Sequence, residues 1–210
     1  SEGAKLALES LHRFAALTQA MGVADIDAFA TAAVREATDG PDFAATVERD
    51  CGFPVRVISG AEEARLSALG VLAEIPRANG ITGDLGGASL ELSHLKYGTG
   101  AEQTSLPIGP LRIACNPNGP DSLSSGDSGR SMEEYLSQAA WLGEARGGTF
   151  YAVGGTWRSW ARMHMRHVNY PLSIAHHYEI TANSALEFSK EISALSADAL
   201  SNFAGFPEER

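Results

Sequence analysis

Over its first 75 residues the sequence switches repeatedly between a helical and an extended period, and that alternation constrains the fold more than any other feature. "EGAKLALESLHRFAALTQAMG" places Ala7, Leu11, Phe14, Thr18 and Met21 at three- and four-residue spacing, with Leu8 and Ala15 beside them. This is an amphipathic helix ended by Gly22. "DAFATAAV" (Asp27–Val34) reads as a short buried strand. "GPDFAATVERDCG" has Pro41 near its start and Gly52 past its end, as a helix of about three turns would. "PVRVISG" (Pro54–Gly60) is a strand stopped by glycine, and "AEEARLSALGVLAEI" (Ala61–Ile75) follows as a helix. Helix, strand, helix, strand, helix is the pattern of an α/β fold.

"PRANG" (Pro76–Gly80) marks the best boundary, separating residues 1–78 from residues 79–210. Beyond it, "ITGDLGGASLELSHLKYG" has two strands joined at Gly86 and Gly87, a hairpin. "AEQTSLPIGPLRIA" adds a third strand before a turn at Gly109–Pro110. Residues Cys115–Arg130 are rich in Gly, Ser, Pro, Asn and Asp and read as a loop. Ser131, with Glu134 three residues later, forms a capping box that opens a helix over "SMEEYLSQAAWLGEAR". "GTFYAVGGTWRSWARMHMRH" gives a strand, a second glycine pair and a helix, and the tail gives one more helix and a polar end. No internal repeat is present.

Length and charge narrow the function. The 210 residues suffice for one sizeable core or two modest ones, and 44% hydrophobic with 20% charged residues is an ordinary globular composition. No apolar run approaches the roughly 20 residues of a membrane span. No charged-then-apolar signal segment opens the chain. Cys51 and Cys115 lie far apart, a poor basis for a disulfide framework, so a reducing, cytoplasmic setting fits best. A formal net charge of −10 argues against nucleic acid and anionic membranes as partners, but leaves room for a small anion held by a local basic patch.

Several residues could carry such chemistry. A strand ending in Asp84, then Gly86 and Gly87, then Ser89 and Glu91, makes a turn whose amides can cradle phosphate oxygens. Asp84 could hold Mg²⁺, which prefers hard oxygen ligands. A hairpin whose glycines merely supply positive φ is an equal reading. Gly154, Gly155 and Thr156 repeat the logic at a helix start, where free N–H groups attract anions. Glu62 and Glu63 open a helix; acids there are commonly dipole partners, yet one could orient a water as general base. Arg35, just beyond a strand end, would neutralise a phosphoryl group if it faced an anionic pocket. Arg158, Arg162 and Arg166 recur every four residues on one helix face, either a path for a polyanion or a solvated surface. His164 and His167 lack an acidic or Cys partner at zinc-site spacing, which discounts zinc there.

The run "ATAAVREA…ISGAEEARLSALGV…GDLGGASLEL…IGPLRI…AVGGT" resembles the exopolyphosphatase and guanosine pentaphosphate phosphohydrolase (Ppx/GppA) family. The likeness holds in order from about Phe29 to Thr156 over five motifs, and "YPLSIAHHYEI" beyond them is similar to the bacterial members. The resemblance implies an actin-like (ribonuclease H-like) fold of two α/β domains around a cleft. It implies Mg²⁺-dependent (or Mn²⁺-dependent) hydrolysis of a phosphoanhydride, with inorganic polyphosphate as first substrate and pppGpp as the alternative. A polyphosphate- or nucleotide-binding protein without turnover is the reading from another class. Family members often form homodimers.

Carried over by position, Glu63 matches the catalytic glutamate that positions or deprotonates water, and Arg35 a phosphate-contacting arginine. Asp84 and Glu91 flank the second phosphate loop, built by Gly86, Gly87 and Ser89, with Asp84 the nearer to the metal. Gly154, Gly155 and Thr156 match the motif that faces the base in nucleotide-binding relatives. Two departures stand out. The loop that usually reads Gly-Gly-Gly-Ser-Thr-Glu is here "GGASLE", so Ala88 replaces a glycine and strain is expected if that position needs φ > 0. The family's first phosphate loop, Asp-Leu-Gly-Ser-Asn-Ser, is absent. With the Ser1 start this suggests a first domain incomplete at its N-terminus, which would lack half of the cleft and leave its own turnover open.

Overall fold

The computed structural model describes residues 2–114, 132–196, 199–200 and 203. The first part holds helix α1 (Glu2–Ala20), strand β1 (Ala28–Ala30), the one-turn helix α2 (Ala32–Arg35), helix α3 (Gly40–Cys51), strand β2 (Val55–Val57) and helix α4 (Gly60–Glu74). Strands β1 and β2 pair in parallel, Ala28 opposite Val55 and Ala30 opposite Val57, with α3 as their crossover. The alternation read from the sequence is present, but both strands are shorter than expected. Asp27–Val34 yields only three strand residues because the chain turns at Thr31 into α2. Alanine-rich "TAAVR" has too few β-branched or aromatic residues to stay extended. Helix α3 ends as expected at Gly52, whose φ of 80° is left-handed.

In α1 the periodicity is right, but several of the expected inward residues are not covered. Leu8, Leu11, Ala15 and Thr18 are partly covered, whereas Ala7, Phe14 and Met21 are exposed. Helix α3 is the element α1 packs against, and it screens one narrow stripe only.

The second part is a four-stranded sheet in the order β5-β4-β3-β6, from β3 (Gly80–Leu85), β4 (Leu90–Lys96), β5 (Thr99–Leu106) and β6 (Thr149–Val153). The expected hairpin and third strand are antiparallel neighbours, and β6 joins β3 in parallel. Helix α5 (Pro110–Ala114) follows β5. The long helix expected over residues 131–146 is replaced by α6 (Met132–Leu136) and a 3-10 helix at Ala140–Ala145. Ser131 of the capping box, the loop Cys115–Arg130 and most of the polar tail lie outside the described residues. Helices α7 (Gly155–His167) and α8 (Ala182–Ser193) complete the chain.

Strand β4 is buried from Glu91 to Leu95 because both faces of the sheet are covered. Leu92 joins Leu106, Ile108 and Ala139 under α6 and the 3-10 helix. Leu95, on the other face, packs with Ala68 of α4 and with Ala78. Small residues at Ala64 and Ala68 let α4 approach closely enough for Ser93 Oγ to donate to Ala64 O at 2.9 Å. Alternation along the strand therefore points Glu91, Ser93 and Leu95 at α4. Among the described residues no helix is long and apolar enough to cross a membrane.

Candidate active site

The site forms where the carboxyl ends of β1 and β2 meet the start of α4 and the end of the larger sheet, a position at which open α/β sheets bind ligands. Ser59 caps α4, its Oγ accepting from Glu62 N at 3.1 Å, and so fixes where the first helical turn begins. The two glutamates of that turn diverge. Glu62 accepts from Arg65 Nε and Nη2, both at 2.8 Å, and this pairing holds its carboxyl below the usual range. Glu63 faces inward, where Arg35 Nη1 donates to its Oε2 at 3.1 Å and to Ile58 O at 2.9 Å. About a fifth of each partner is exposed, 22% for Arg35 and 19% for Glu63. Arg35 is the last residue of α2 rather than a residue just past a strand, and that helical turn aims its guanidinium back across the end of β2.

Gly60 sets how near α4 comes to the sheet. A Cβ at that position would lie 2.4 Å from Ser105 Cβ on β5. The contact brings Glu63 over a polar ladder that crosses three strands: Asp84 on β3 is opposite Glu91 on β4, which is opposite Ser105 on β5. Ser105 Oγ donates to Glu91 Oε1 at 2.8 Å, and Ser67 of α4 donates to Asp84 Oδ2. Glu91 is 1% exposed. Burial pushes its carboxyl up; hydrogen bonds from Ser89 and Ser105 pull the other way, and the charges of Glu63 and Asp84 add to the rise.

The turn from Gly86 to Ser89 is closed by Gly86 N donating to Ser89 O at 3.0 Å. Neither glycine of the pair nor Ala88 has a positive φ, so Ala88 sits here without the strain anticipated from the sequence. Helix α5 holds the turn from outside. Leu111 N donates to Gly87 O at 2.8 Å, Gly109 N to Ala88 O at 3.1 Å, and Arg112 Nε to Ala88 O at 3.3 Å. With these carbonyls engaged, the Gly87 and Ala88 amides have no backbone acceptor among the described residues. Arg112 also pairs with Glu36, tying the turn to the residue after Arg35.

The second glycine pair meets the first at Asp84. Gly154 caps α7 with φ 105°, and a Cβ there would lie 2.8 Å from Asp84 Oδ1. Gly155 and Thr156 are exposed at the start of α7. Arg158, Arg162 and Arg166 are exposed along the same helix and form no ion pair among the described residues. Ser67, Ser105 and Arg112, with the Ile58 carbonyl, were not singled out from the sequence. Each acts across strands or elements; Ile58 and Ser67 lie inside the "ISGAEEARLSALGV" motif and Arg112 inside "IGPLRI", whereas Ser105 lies in no motif.

Among the described residues, the site thus gathers Glu63, Asp84 and Glu91 with Arg35 as the cation paired to Glu63, beside a turn whose Gly87 and Ala88 amides have no backbone acceptor. Oxygen donors in excess of positive charge suit a hard divalent cation. Among the described residues these three carboxylates do not converge within 4.8 Å, so they are not a closed protein cage.

Comparison with known proteins places the chain in a family. The model of the Ppx/GppA phosphatase family matches residues 1–210. Exopolyphosphatase 1 of Mycobacterium leprae is 35% identical over 108 residues, covering 50% of this chain and 32% of that protein, so the chain spans about a third of that relative's length. A solved exopolyphosphatase from Cytophaga hutchinsonii superposes with a TM-score of 0.82 at 21% identity, over 98% of this chain and 68% of that one. The Aquifex aeolicus family member gives 0.71 at 20% identity, over 99% and 68%. These likenesses show a common fold, the α/β fold that the sequence resemblance identifies as actin-like.

Proposed function

Because the chain belongs to the Ppx/GppA phosphatase family, we propose that its site serves hydrolysis of the terminal phosphoanhydride of inorganic polyphosphate. The observation that carries this reading is the parting of Glu62 from Glu63. One acid is neutralised on the surface by Arg65; the other is held by Arg35 over the carboxylate ladder, beside the Gly86–Ser89 turn. The names of its relatives, exopolyphosphatases among them, support the substrate class.

In this reading the Gly87 and Ala88 amides hold oxygens of the terminal phosphate, and Ser89 braces the turn through Glu91. Glu63 accepts a proton from water as the water oxygen bonds to phosphorus, and the bridging P–O bond breaks to release orthophosphate and a shortened chain. Arg35 fixes the Glu63 carboxylate and sets a positive charge beside the reacting phosphoryl. The residue that would hold Mg²⁺ or Mn²⁺ is Asp84, with Glu91 behind it; such an ion offsets charge on phosphate oxygens.

The test is orthophosphate release from long-chain polyphosphate and from pppGpp, with Mg²⁺, for the wild type and Glu63→Gln. We expect polyphosphate to be the faster substrate and Glu63→Gln to lower turnover by about 10²–10⁴-fold, the usual worth of a positioned base. Turnover unchanged by Glu63→Gln would remove it as base. Faster release from pppGpp would reassign the substrate. Polyphosphate binding with no release from either compound would leave a binding protein.

A further inference from the structure

A cluster remote in sequence from the carboxylate ladder brings together Glu74, the last residue of α4, and His176 and His177, about 100 positions later. His177 Nε2 lies 3.0 Å from Glu74 Oε1, and His176 Nε2 lies 3.6 Å from the same oxygen. The ligand atoms of all three side chains fall within 4.8 Å of one another. The two imidazoles stand edge to face, 4.3 Å apart at 86°, so their Nε2 atoms approach the carboxylate from different directions. Among the described residues, His177 is one of three non-glycine residues with positive φ, at 56°.

We propose that Glu74, His176 and His177 bind a zinc-class divalent cation, with water completing the coordination. Zn–N and Zn–O bonds of about 2.0–2.1 Å in a tetrahedron set ligand atoms about 3.3 Å apart. The two distances to Glu74 bracket that edge. Two imidazoles and one carboxylate select zinc, nickel or copper over magnesium, in contrast to the all-oxygen ladder. The side chains are 56%, 72% and 47% exposed in sequence order, which leaves an entry path and room for water ligands. The bound ion would staple the end of α4 to the segment before α8, so it belongs to the fold rather than to the hydrolytic step. A second grouping, His94, Glu102 and Glu144, is a poorer candidate. Lys96 Nζ already stands 3.4 Å from Glu102 and 3.2 Å from Glu144, supplying the positive charge.

The test is Zn²⁺ titration by calorimetry on chelator-treated protein in excess Mg²⁺, which occupies oxygen-donor sites, together with the visible spectrum of the Co²⁺ form. A single ion per chain is expected, with the intense d–d bands of tetrahedral Co²⁺. His177→Ala and Glu74→Gln should each weaken Zn²⁺ more than about tenfold, since even residues one shell further out are worth that much. His12→Ala, an exposed histidine on α1, should leave the affinity unchanged. Unaltered affinity in either cluster variant, or an equal loss in His12→Ala, would overturn the proposal. The outcome is independent of phosphate release, so it stands or falls apart from the hydrolase reading.

Discussion

His164 is an imidazole placed where a charge is costly. It is 4% exposed, stacked on Trp160 with ring centroids 5.7 Å apart, and bonded through Nδ1 to Tyr178 Oη at 2.6 Å. Burial, with a smaller contribution from His167, holds its pKa below the ordinary value. A histidine neutral in the fold and chargeable when unfolded makes the unfolded state bind more protons, so stability rises with pH through this window and is lost as pH falls below about 6.5. Replacement by glutamine, which keeps a donor and an acceptor but cannot charge, should therefore change the pH dependence. The melting temperature of wild type minus that of His164→Gln should shrink between pH 7.5 and 5. A constant difference would mean that His164 does not titrate across unfolding. The same scale explains the divergence of Glu62 and Glu63. Sequence neighbours on a helix point about 100° apart, so one met solvent and Arg65 while the other met Arg35.

At the scale of elements, α4 is the part whose position matters most to the site. It carries two glycines with opposite surroundings. At Gly60 a methyl group would strike Ser105, whereas nothing lies within 4 Å of a Cβ at Gly70. Gly60→Ala must push the first turn of α4 off β5, carrying Glu63 with it. A shift approaching 1 Å at a catalytic group can cost about 10²-fold in rate. Gly70→Ala removes backbone freedom in a helix interior and should stabilise the protein by up to about 1 kcal/mol with rate unchanged. Phosphate release and thermal melting of the pair decide it; equal rates in both variants would mean that the α4–β5 contact does not set the geometry.

Much of this element plan was legible in the sequence, for definite reasons. The glycine-bracketed strands around Asp84 and Val153 and the helix expected over Ala61–Ile75 carry local signals; both strands are present, and the helix runs from Gly60 to Glu74. What escaped depends on contacts between distant segments. Arg35 was expected beyond a longer strand, and the turn at Thr31 that redirects it follows from a run of alanines with weak preference for either state. The Asp84–Glu91–Ser105 ladder needs the register of three strands, which a hairpin signal supplies for only two of them. At Gly86 and Gly87 the glycines suggested positive φ, yet the turn closes without it.

Across the whole molecule, charge is distributed against the proposed substrate. The chain carries a formal net charge of −10, and a polyanion approaching it meets repulsion at long range. On α7 the exposed Arg158, Arg162 and Arg166 offer the reverse sign at short range, starting beside Gly155. Reversing one of these charges with Arg162→Glu should weaken long polyphosphate more than short chains, because only a long chain spans the helix face as well as the turn. Equal weakening for both lengths would reduce the stripe to a solvated surface.

The arginine stripe also makes ionic strength a control on capture. Mobile ions confine electrostatic influence to about 30 Å at 0.01 M, about 10 Å at 0.1 M and about 3 Å at 1 M. The first tenfold increase in salt hides the molecule's overall charge while sparing groups in contact, so long-chain capture becomes faster. The next tenfold hides the stripe as well, and capture slows. The salt profile of kcat/KM for long polyphosphate therefore has a maximum, and in Arg162→Glu its falling side flattens.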